Sequence, residues 1–119
     1  MSGEVAPARS KVTTHVLDAV TGRPAADVAV ALERRGPDGW GPVADGRTDA
    51  DGRIGRFGPD ELEEGVYRVT FAVGDYFATL GQEAFYPEVV ISFTLADPTA
   101  HYHVPLLLSP YAFSTYRGS

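Results

Sequence analysis

Apolar and polar residues alternate along much of this chain with a period of two, and no other feature constrains the fold as strongly. The alternation covers six segments, at residues 12–19, 28–32, 67–73, 89–95, 102–108 and 113–117. Successive side chains of a β-strand point to opposite faces, so each segment is predicted to be a strand with one face in a core.

Clusters of glycine, proline and aspartate that favour turns separate these strands, at residues 21–22, 37–39, 51–52 and 58–59. A helical pattern is present only at residues 75–80, between Gly74 and Gly81, with Asp75 placed to cap its start. About seven or eight short strands at this spacing predict an all-β fold, a two-sheet β-sandwich with one short helix.

The chain has 119 residues, the size of one domain. Residues 1–10 are small and polar and include a proline, so we expect a disordered tail followed by one domain over residues 11–119. A domain of this size buries roughly 65% of the surface of its unfolded chain, enough for one core and too little for a large internal cavity. A functional site is therefore expected on the surface or between subunits.

Ten basic and sixteen acidic residues give a net charge of −6, which argues against nucleic acid or an anionic membrane surface as a partner. The absence of cysteine excludes disulfides, thiolate metal sites and cysteine nucleophiles. The sequence shows neither the ~20 apolar residues of a membrane span nor the apolar stretch of a signal peptide. We therefore expect a cytoplasmic protein.

All three histidines are expected on outer strand faces. The strand at residues 102–108 has its large apolar residues at even positions, so His101 and His103 are predicted to point outward. The strand at residues 12–19 places His15 outward by the same rule. Apolar residues share these outer faces, namely Leu17, Pro105 and Leu107. A face that mixes imidazoles with apolar residues indicates a subunit interface with a polar centre.

His101 and His103 have the His-x-His spacing with which two imidazoles on one strand can bind a metal ion, and His15 could supply a third ligand. The same residues suit acid–base chemistry without a metal, because imidazole titrates near neutrality. Taken alone, these residues favour a third reading, that they are ordinary surface or capping histidines. The metal site is the weakest of these readings, because no carboxylate or thiolate ligand is placed nearby in the sequence.

Residues 48–53, Thr-Asp-Ala-Asp-Gly-Arg, resemble a calcium-binding loop, but Gly58 stands where such a loop requires glutamate. A tight turn at residues 51–52 is favoured instead. That turn would hold Arg53 rigidly at the start of a strand, where its guanidinium could meet an anionic ligand. The alternative is an exposed arginine without a role.

The C-terminus is aromatic, although mobile tails are usually small and charged. Tyr116, Arg117 and Ser119 offer a hydroxyl, a guanidinium and the terminal carboxylate within four residues. These groups could complete a polar site, and the alternative is an edge strand that simply ends there.

The motifs together resemble one family. They lie at residues 14–18 with 21–25, at 48–53, at 85–89, at 101–109, and in the terminal Tyr-Arg-Gly-Ser. In combination they closely resemble the 5-hydroxyisourate hydrolases, the transthyretin-like enzymes of urate breakdown, over residues 11–119. One departure is Ala112-Phe113, where members of that family commonly have Gly-Tyr.

The resemblance implies a sandwich of two four-stranded sheets with one short helix, assembled as a homotetramer, a dimer of dimers. Active sites in such proteins lie at the interface between the dimers. The family's catalytic histidines correspond to His15 and His103, and its catalytic arginine to Arg53. Its substrate-binding terminus corresponds to the last four residues, of which Tyr116, Arg117 and Ser119 enter the pocket.

The implied reaction is hydrolytic ring opening of 5-hydroxyisourate, with no cofactor, metal or nucleophilic side chain. The histidine pair would activate water, and Arg53 would bind the developing oxyanion. A transthyretin-like carrier of small ligands without catalysis is the alternative function, and a bare structural domain is a third. Carriers lack the His-x-His strand and the Tyr-Arg-Gly-Ser ending, both of which this chain has.

Overall fold

The computed structural model describes residues 10–119 and has, within them, eight β-strands and one α-helix. In chain order these are β1 (Val12–Asp18), β2 (Arg23–Pro24), β3 (Ala29–Gly36), β4 (Gly39–Arg47), β5 (Gly65–Phe71), α1 (Val73–Thr79), β6 (Val89–Leu95), β7 (Tyr102–Ser109) and β8 (Ala112–Thr115).

The strands form two four-stranded sheets, one in the order β2-β1-β7-β8 and the other in the order β4-β3-β5-β6. Neighbouring strands are antiparallel, except that β1 and β7 run parallel. The core lies between the sheets and includes fully buried side chains from both, among them Val16, Leu32, Tyr67, Phe71 and Leu106. The predicted all-β sandwich with one short helix is confirmed.

Helix α1 begins earlier than predicted, at Val73, and Asp75 does not cap it. Ala72 occupies the capping position and makes no side-chain hydrogen bond to the helix. Val73 and Phe77, four residues apart, are buried on one face, so packing against the core sets the helix start in place of a cap. The backbone of Pro87 lies against the first turn, where a Cβ on Gly74 would have no room.

Two strands have no counterpart among the predicted segments. The alternation in β4 is interrupted by three glycines and Pro42, which an edge strand such as β4 tolerates because one side of its backbone needs no partner. A register shift between Leu32 and Glu33 of β3 brings Glu33 opposite this proline. Strand β2 has only two residues. Strand β8 ends at Thr115, two residues before its predicted end at position 117.

The predicted tail, residues 1–10, lies outside the described residues except for Ser10, which is buried. The Ser10 hydroxyl donates to the carbonyl of Val12 at 2.9 Å and accepts the N–H of Phe57 at 3.2 Å. Within residues 10–119, no helix is long and apolar enough to cross a membrane.

A hydrogen bond between Tyr76 and Asp18 ties helix α1 to the end of β1. The Tyr76 hydroxyl donates at 2.8 Å to Oδ2 of Asp18, a residue that is only 1% exposed. The other carboxylate oxygen accepts the backbone N–H groups of Val20 at 2.9 Å and Thr21 at 3.3 Å. Burial and the neighbouring carboxylate raise the pKa of Tyr76 to about 12, because a phenolate would face a negative charge.

We expect Tyr76→Phe to lower the free energy of unfolding at neutral pH by about 1–3 kcal/mol, because a buried carboxylate loses a donor. The raised pKa means that the protonated Tyr76 hydroxyl stabilises the folded wild type at pH below 10. This contribution should be lost as the pH rises from 10 through about 12, and the variant has no such contribution to lose. Urea unfolding of both proteins across this range measures the difference. Tyr111→Phe, at a side chain that is 66% exposed, is the matched control. Parallel pH profiles for wild type and Tyr76→Phe would contradict this role.

Candidate active site

The outer face of the β1–β7 pair carries most of the residues that the sequence singled out. The two strands run parallel and in register, so that Thr13 lies opposite His103 and His15 lies opposite Pro105. Odd-numbered residues of β1 are half-buried, whereas the even-numbered ones are buried in the core. His15 and His103 therefore point outward, as the alternation predicted. Pro105 shares this face and is buried.

Thr13 connects the two histidines at the start of β7. Its hydroxyl oxygen lies 2.9 Å from Nε2 of His101 and 2.8 Å from Nδ1 of His103. Both distances are those of hydrogen bonds. The parallel register makes this contact, because it places Thr13 directly beside His103 and the His-x-His spacing returns His101 to the same face.

A tight turn formed by residues 48–53 presents Arg53. The Asp49 carboxylate accepts the backbone N–H groups of Asp51 at 2.9 Å and of Arg53 at 3.0 Å. The backbone N–H of Gly52 donates to the Asp49 carbonyl at 2.9 Å. Three hydrogen bonds to one residue thus fix the backbone from which the Arg53 side chain extends, and this is the tight turn that the sequence favoured.

The turn is held against β1 by backbone contacts. The N–H of Val16 donates to the Gly52 carbonyl at 2.8 Å, and Arg53 forms an isolated antiparallel bridge with His15. The sequence predicted that Arg53 begins a strand. This prediction is wrong, because the segment between Arg53 and β5 has no regular secondary structure. Gly52 has a φ of +75° and lies so close to Val16 that a Cβ would collide with its carbonyl oxygen.

The C-terminus folds back over His103. After β8 ends, the N–H of Gly118 donates to the His103 carbonyl at 2.9 Å, and the two residues form an isolated bridge. A Cβ on Gly118 would collide with the imidazole ring of His103. The absence of a side chain at position 118 therefore lets the terminus pass directly over the ring. This path brings Tyr116 and Ser119 to the same cleft as His103.

The side chain of Arg117 lies elsewhere. Its guanidinium stacks on the ring of Tyr102, 4.5 Å from the centroid, and donates to the carbonyl of His101 at 3.4 Å. Phe113 is also directed away from the cleft and packs edge-on against Tyr86, with ring centroids 5.3 Å apart. The departure Ala112-Phe113 therefore does not change the side chains that line the cleft.

Strands β1 and β7, the turn at residues 48–53 and the C-terminal residues line an open cleft of about 580 Å³ on the outer face of the sheet. Five of the six predicted site residues line it, namely His15, Arg53, His103, Tyr116 and Ser119, while Arg117 does not. In the part of the chain that the structure describes, no group of three His, Cys, Asp or Glu side chains is arranged to hold a metal ion. The cleft combines imidazoles, a guanidinium and hydroxyl groups, which together can move protons and bind an anion.

The sequence profile described as the HIUase/Transthyretin family matches residues 12–118. The chain belongs to this family.

The chain is similar both to proteins named 5-hydroxyisourate hydrolase and to a transthyretin. A 5-hydroxyisourate hydrolase of Caulobacter vibrioides is 46% identical over 114 residues, 92% of this chain and 99% of that protein. The structure of Klebsiella pneumoniae 5-hydroxyisourate hydrolase superposes with a TM-score of 0.81 at 40% identity, over 91% of this chain and 98% of that one. The crystal structure of transthyretin from Sparus aurata superposes with a TM-score of 0.87 at 33% identity, over 92% of this chain and 97% of that one.

Three residues that shape the cleft are not evident from single motifs. Thr13 contacts His103 only because β1 and β7 pair in register, and strands so far apart in sequence reveal no register by themselves. Asp49 acts through the hydrogen bonds that its carboxylate accepts from two backbone N–H groups of the turn, and Gly118 acts through its lack of a side chain. The Asp-x-Asp-Gly pattern of a tight turn is the signal that could have identified Asp49.

We expect Gly52→Ala to lower the free energy of unfolding by about 2–5 kcal/mol, the left-handed backbone costing about 1–2 kcal/mol and the clash with Val16 about 1–3 kcal/mol. Gly22→Ala is the matched control, because Gly22 has a φ of +73° but no atom within 4 Å of a Cβ, so only the smaller cost applies. Denaturant unfolding of both variants measures the difference. Equal losses would show that the turn does not press against β1.

Proposed function

We propose that this protein hydrolyses 5-hydroxyisourate in the cleft on the outer face of the β1–β7 pair. Relatives named 5-hydroxyisourate hydrolase, from bacteria and mouse, are 42–46% identical over more than nine-tenths of the chain, which confirms the predicted activity. The reaction opens the ring to 2-oxo-4-hydroxy-4-carboxy-5-ureidoimidazoline in urate degradation. One observation carries the placement of the site: His15, Arg53 and His103 line a single cleft although they come from three distant segments.

The His15 and His103 imidazoles activate the attacking water. As the water oxygen adds to the ring carbonyl, one imidazole accepts its proton; the amide C–N bond then breaks and the leaving nitrogen takes up a proton. An imidazole titrates at about pH 6.5 in general, so it can perform both transfers near neutrality. Two points support this assignment: both rings line the cleft, and both strands that carry them are packed in the core.

Arg53 stabilises the negative charge that develops on the carbonyl oxygen. Its backbone is fixed by the turn at Asp49 and by the bridge to His15, so little reorganisation is needed when the charge appears. Within residues 10–119, no carboxylate forms an ion pair with its guanidinium. The positive charge is therefore available to substrate.

The C-terminal residues bind the ring of the substrate. Tyr116 offers an exposed phenol, 62% accessible, and Ser119 offers its hydroxyl, both at the cleft. Arg117 serves the same site indirectly by bracing the terminus, since its guanidinium stacks on Tyr102 and contacts the carbonyl of His101.

The cleft is completed by a homotetramer built as a dimer of dimers. The last strands of the two sheets, β6 and β8, each have one side without a strand neighbour among the described residues, and such edges favour pairing with a second copy. Exposed apolar side chains lie on these two strands, Val90 at 43% and Phe113 at 40%. The half-buried Leu17 and Leu107 beside the cleft favour a second contact, between dimers.

A small-ligand carrier is the alternative function, because the chain also superposes on transthyretin from Sparus aurata. The polar lining of the cleft argues against it: three imidazoles and a guanidinium would have to be desolvated by an apolar ligand. The hydrolase needs no cofactor or metal ion in this proposal. Its location is proposed to be the cytoplasm, on the sequence features already described.

The purified protein should accelerate the decay of 5-hydroxyisourate generated from urate by urate oxidase, followed by ultraviolet absorbance. The rate should be unchanged after dialysis against EDTA, because histidine and arginine supply the chemistry. Loss of activity on chelation and recovery with zinc would instead support a metal held by the histidines. Decay at the uncatalysed rate, with binding of an apolar ligand such as thyroxine, would favour the carrier.

Arg53→Ala should lower kcat by about 10²–10³-fold, the usual effect of removing one oxyanion donor, and His103→Ala by about 10²–10⁴-fold. Arg47→Ala is the matched control, because it removes the same charge from an exposed residue whose partner is Asp27. It should retain activity within about twofold of wild type, since it lies outside the cleft. Undiminished turnover in either cleft variant would overturn the role given to that residue.

A further inference from the structure

The hydroxyl group of Thr13 lies between two imidazole nitrogens and has no role in the mechanism proposed so far. The oxygen is 2.9 Å from Nε2 of His101 and 2.8 Å from Nδ1 of His103. It sits on β1, a strand whose neighbouring residues are buried in the core. The three side chains thus form a continuous hydrogen-bonded chain, His101–Thr13–His103, along the floor of the cleft.

Proton counting restricts what this chain can be. A threonine hydroxyl has one proton to donate and can accept from several donors. It can therefore donate to one of the two nitrogens only, and the other nitrogen must carry its own proton to make a hydrogen bond. Whether Nε2 of His101 carries a proton therefore depends, through Thr13, on whether Nδ1 of His103 carries one.

We infer that Thr13 is a positioning residue that sets the tautomer of His103 and links it to His101, and this inference rests on the proposed function. In one arrangement, Nδ1 of His103 donates to Thr13, and Thr13 donates to His101. Neutral His103 then carries no proton on Nε2, the nitrogen whose lone pair can accept a proton from water. In this arrangement, which we assign to the resting protein, His103 has the form that a general base requires.

The same chain can carry the proton away from His103. Water gives a proton to Nε2 of His103, and the proton on Nδ1 moves to the Thr13 oxygen. The original hydroxyl proton moves to Nε2 of His101, which becomes an imidazolium ion. The three transfers are balanced: one O–H bond of water is broken, one N–H bond is gained in total, and the hydroxide oxygen is added to the carbonyl. Reversing them returns the proton to the leaving nitrogen.

Charged groups surround this chain on several sides and act on it together. On the His101 side, the ammonium of Lys11 donates to the carbonyl of Ala100 at 3.1 Å and the guanidinium of Arg117 donates to the carbonyl of His101. Asp97 interacts electrostatically with both of these cations. Across the cleft lie further polar and titratable groups, namely His15, Asp49, Arg53 and Tyr116. The tautomer is therefore best measured directly, on the nitrogen atoms themselves.

Thr13→Val tests the inference, because valine keeps the shape of threonine and removes the hydroxyl. In protein labelled with ¹⁵N-histidine, the Nδ1 and Nε2 shifts of His103 should move from those of one tautomer towards the average of two. The kcat for 5-hydroxyisourate should fall at least about tenfold, with KM changed less than about threefold. Thr13→Ser keeps the hydroxyl and should restore both the shifts and kcat.

Thr14→Val is the matched control on the same strand. The Thr14 hydroxyl donates to the carbonyl of Val104 at 2.7 Å on the buried side of the sheet. Its loss should lower the thermal unfolding midpoint but leave the His103 shifts and kcat near those of wild type. A purely structural role for Thr13 predicts that Thr13→Val behaves in the same way.

Unchanged ¹⁵N shifts in Thr13→Val would overturn the inference whatever happens to kcat, and so would a serine variant that behaves like valine. An unchanged kcat with altered shifts would overturn the link to turnover. The shifts are measured on the resting protein without substrate. If wild type proves inactive on 5-hydroxyisourate, the proposed function fails, whereas the tautomer measurement still decides whether Thr13 couples the two histidines.

Discussion

The parallel pairing of β1 with β7 is the constraint on which the site depends. It joins the first and seventh strands in register over seven residues, from Val12 with Tyr102 to Asp18 with Leu108. Alternation then sends odd-numbered residues of both strands outward together, so that two histidines and a threonine far apart in sequence share one face. A shift of the register by one residue would turn the outward side chains of one strand into the core. The two histidines would then no longer share one face.

The alternation also explains how much could be predicted from sequence. It indicated six strands and the outward orientation of His15 and His103, because a period of two follows from backbone geometry alone. It could not indicate β4, whose glycines and proline are tolerated at an edge. It could not place Thr13 against His103 either, since the choice of β7 as the partner of β1 is a tertiary effect. Helix α1 begins two residues before its predicted start at position 75, because the packing of Val73 sets where it begins.

Two glycines help to fix the walls of the cleft. Gly52 lets the turn that carries Arg53 contact Val16 of β1, and Gly118 lets the C-terminus cross the imidazole of His103. In each case a backbone hydrogen bond joins the segment to a strand, at 2.8 Å and 2.9 Å respectively. The stacking of Arg117 on Tyr102 adds an anchor beyond the second crossing. Segments without regular secondary structure are thereby positioned by the rigid sheet.

Local charge at the cleft, and not the net charge of −6, decides whether an anion can bind there. Charges on the far surface are screened within about 8 Å at physiological ionic strength, and four other arginines are already paired with carboxylates. Asp49 also lines the cleft, but its carboxylate accepts backbone N–H groups of the turn. Asp49 thus stabilises the turn that presents the guanidinium, and an incoming anion meets a cation whose charge no carboxylate among the described residues has neutralised.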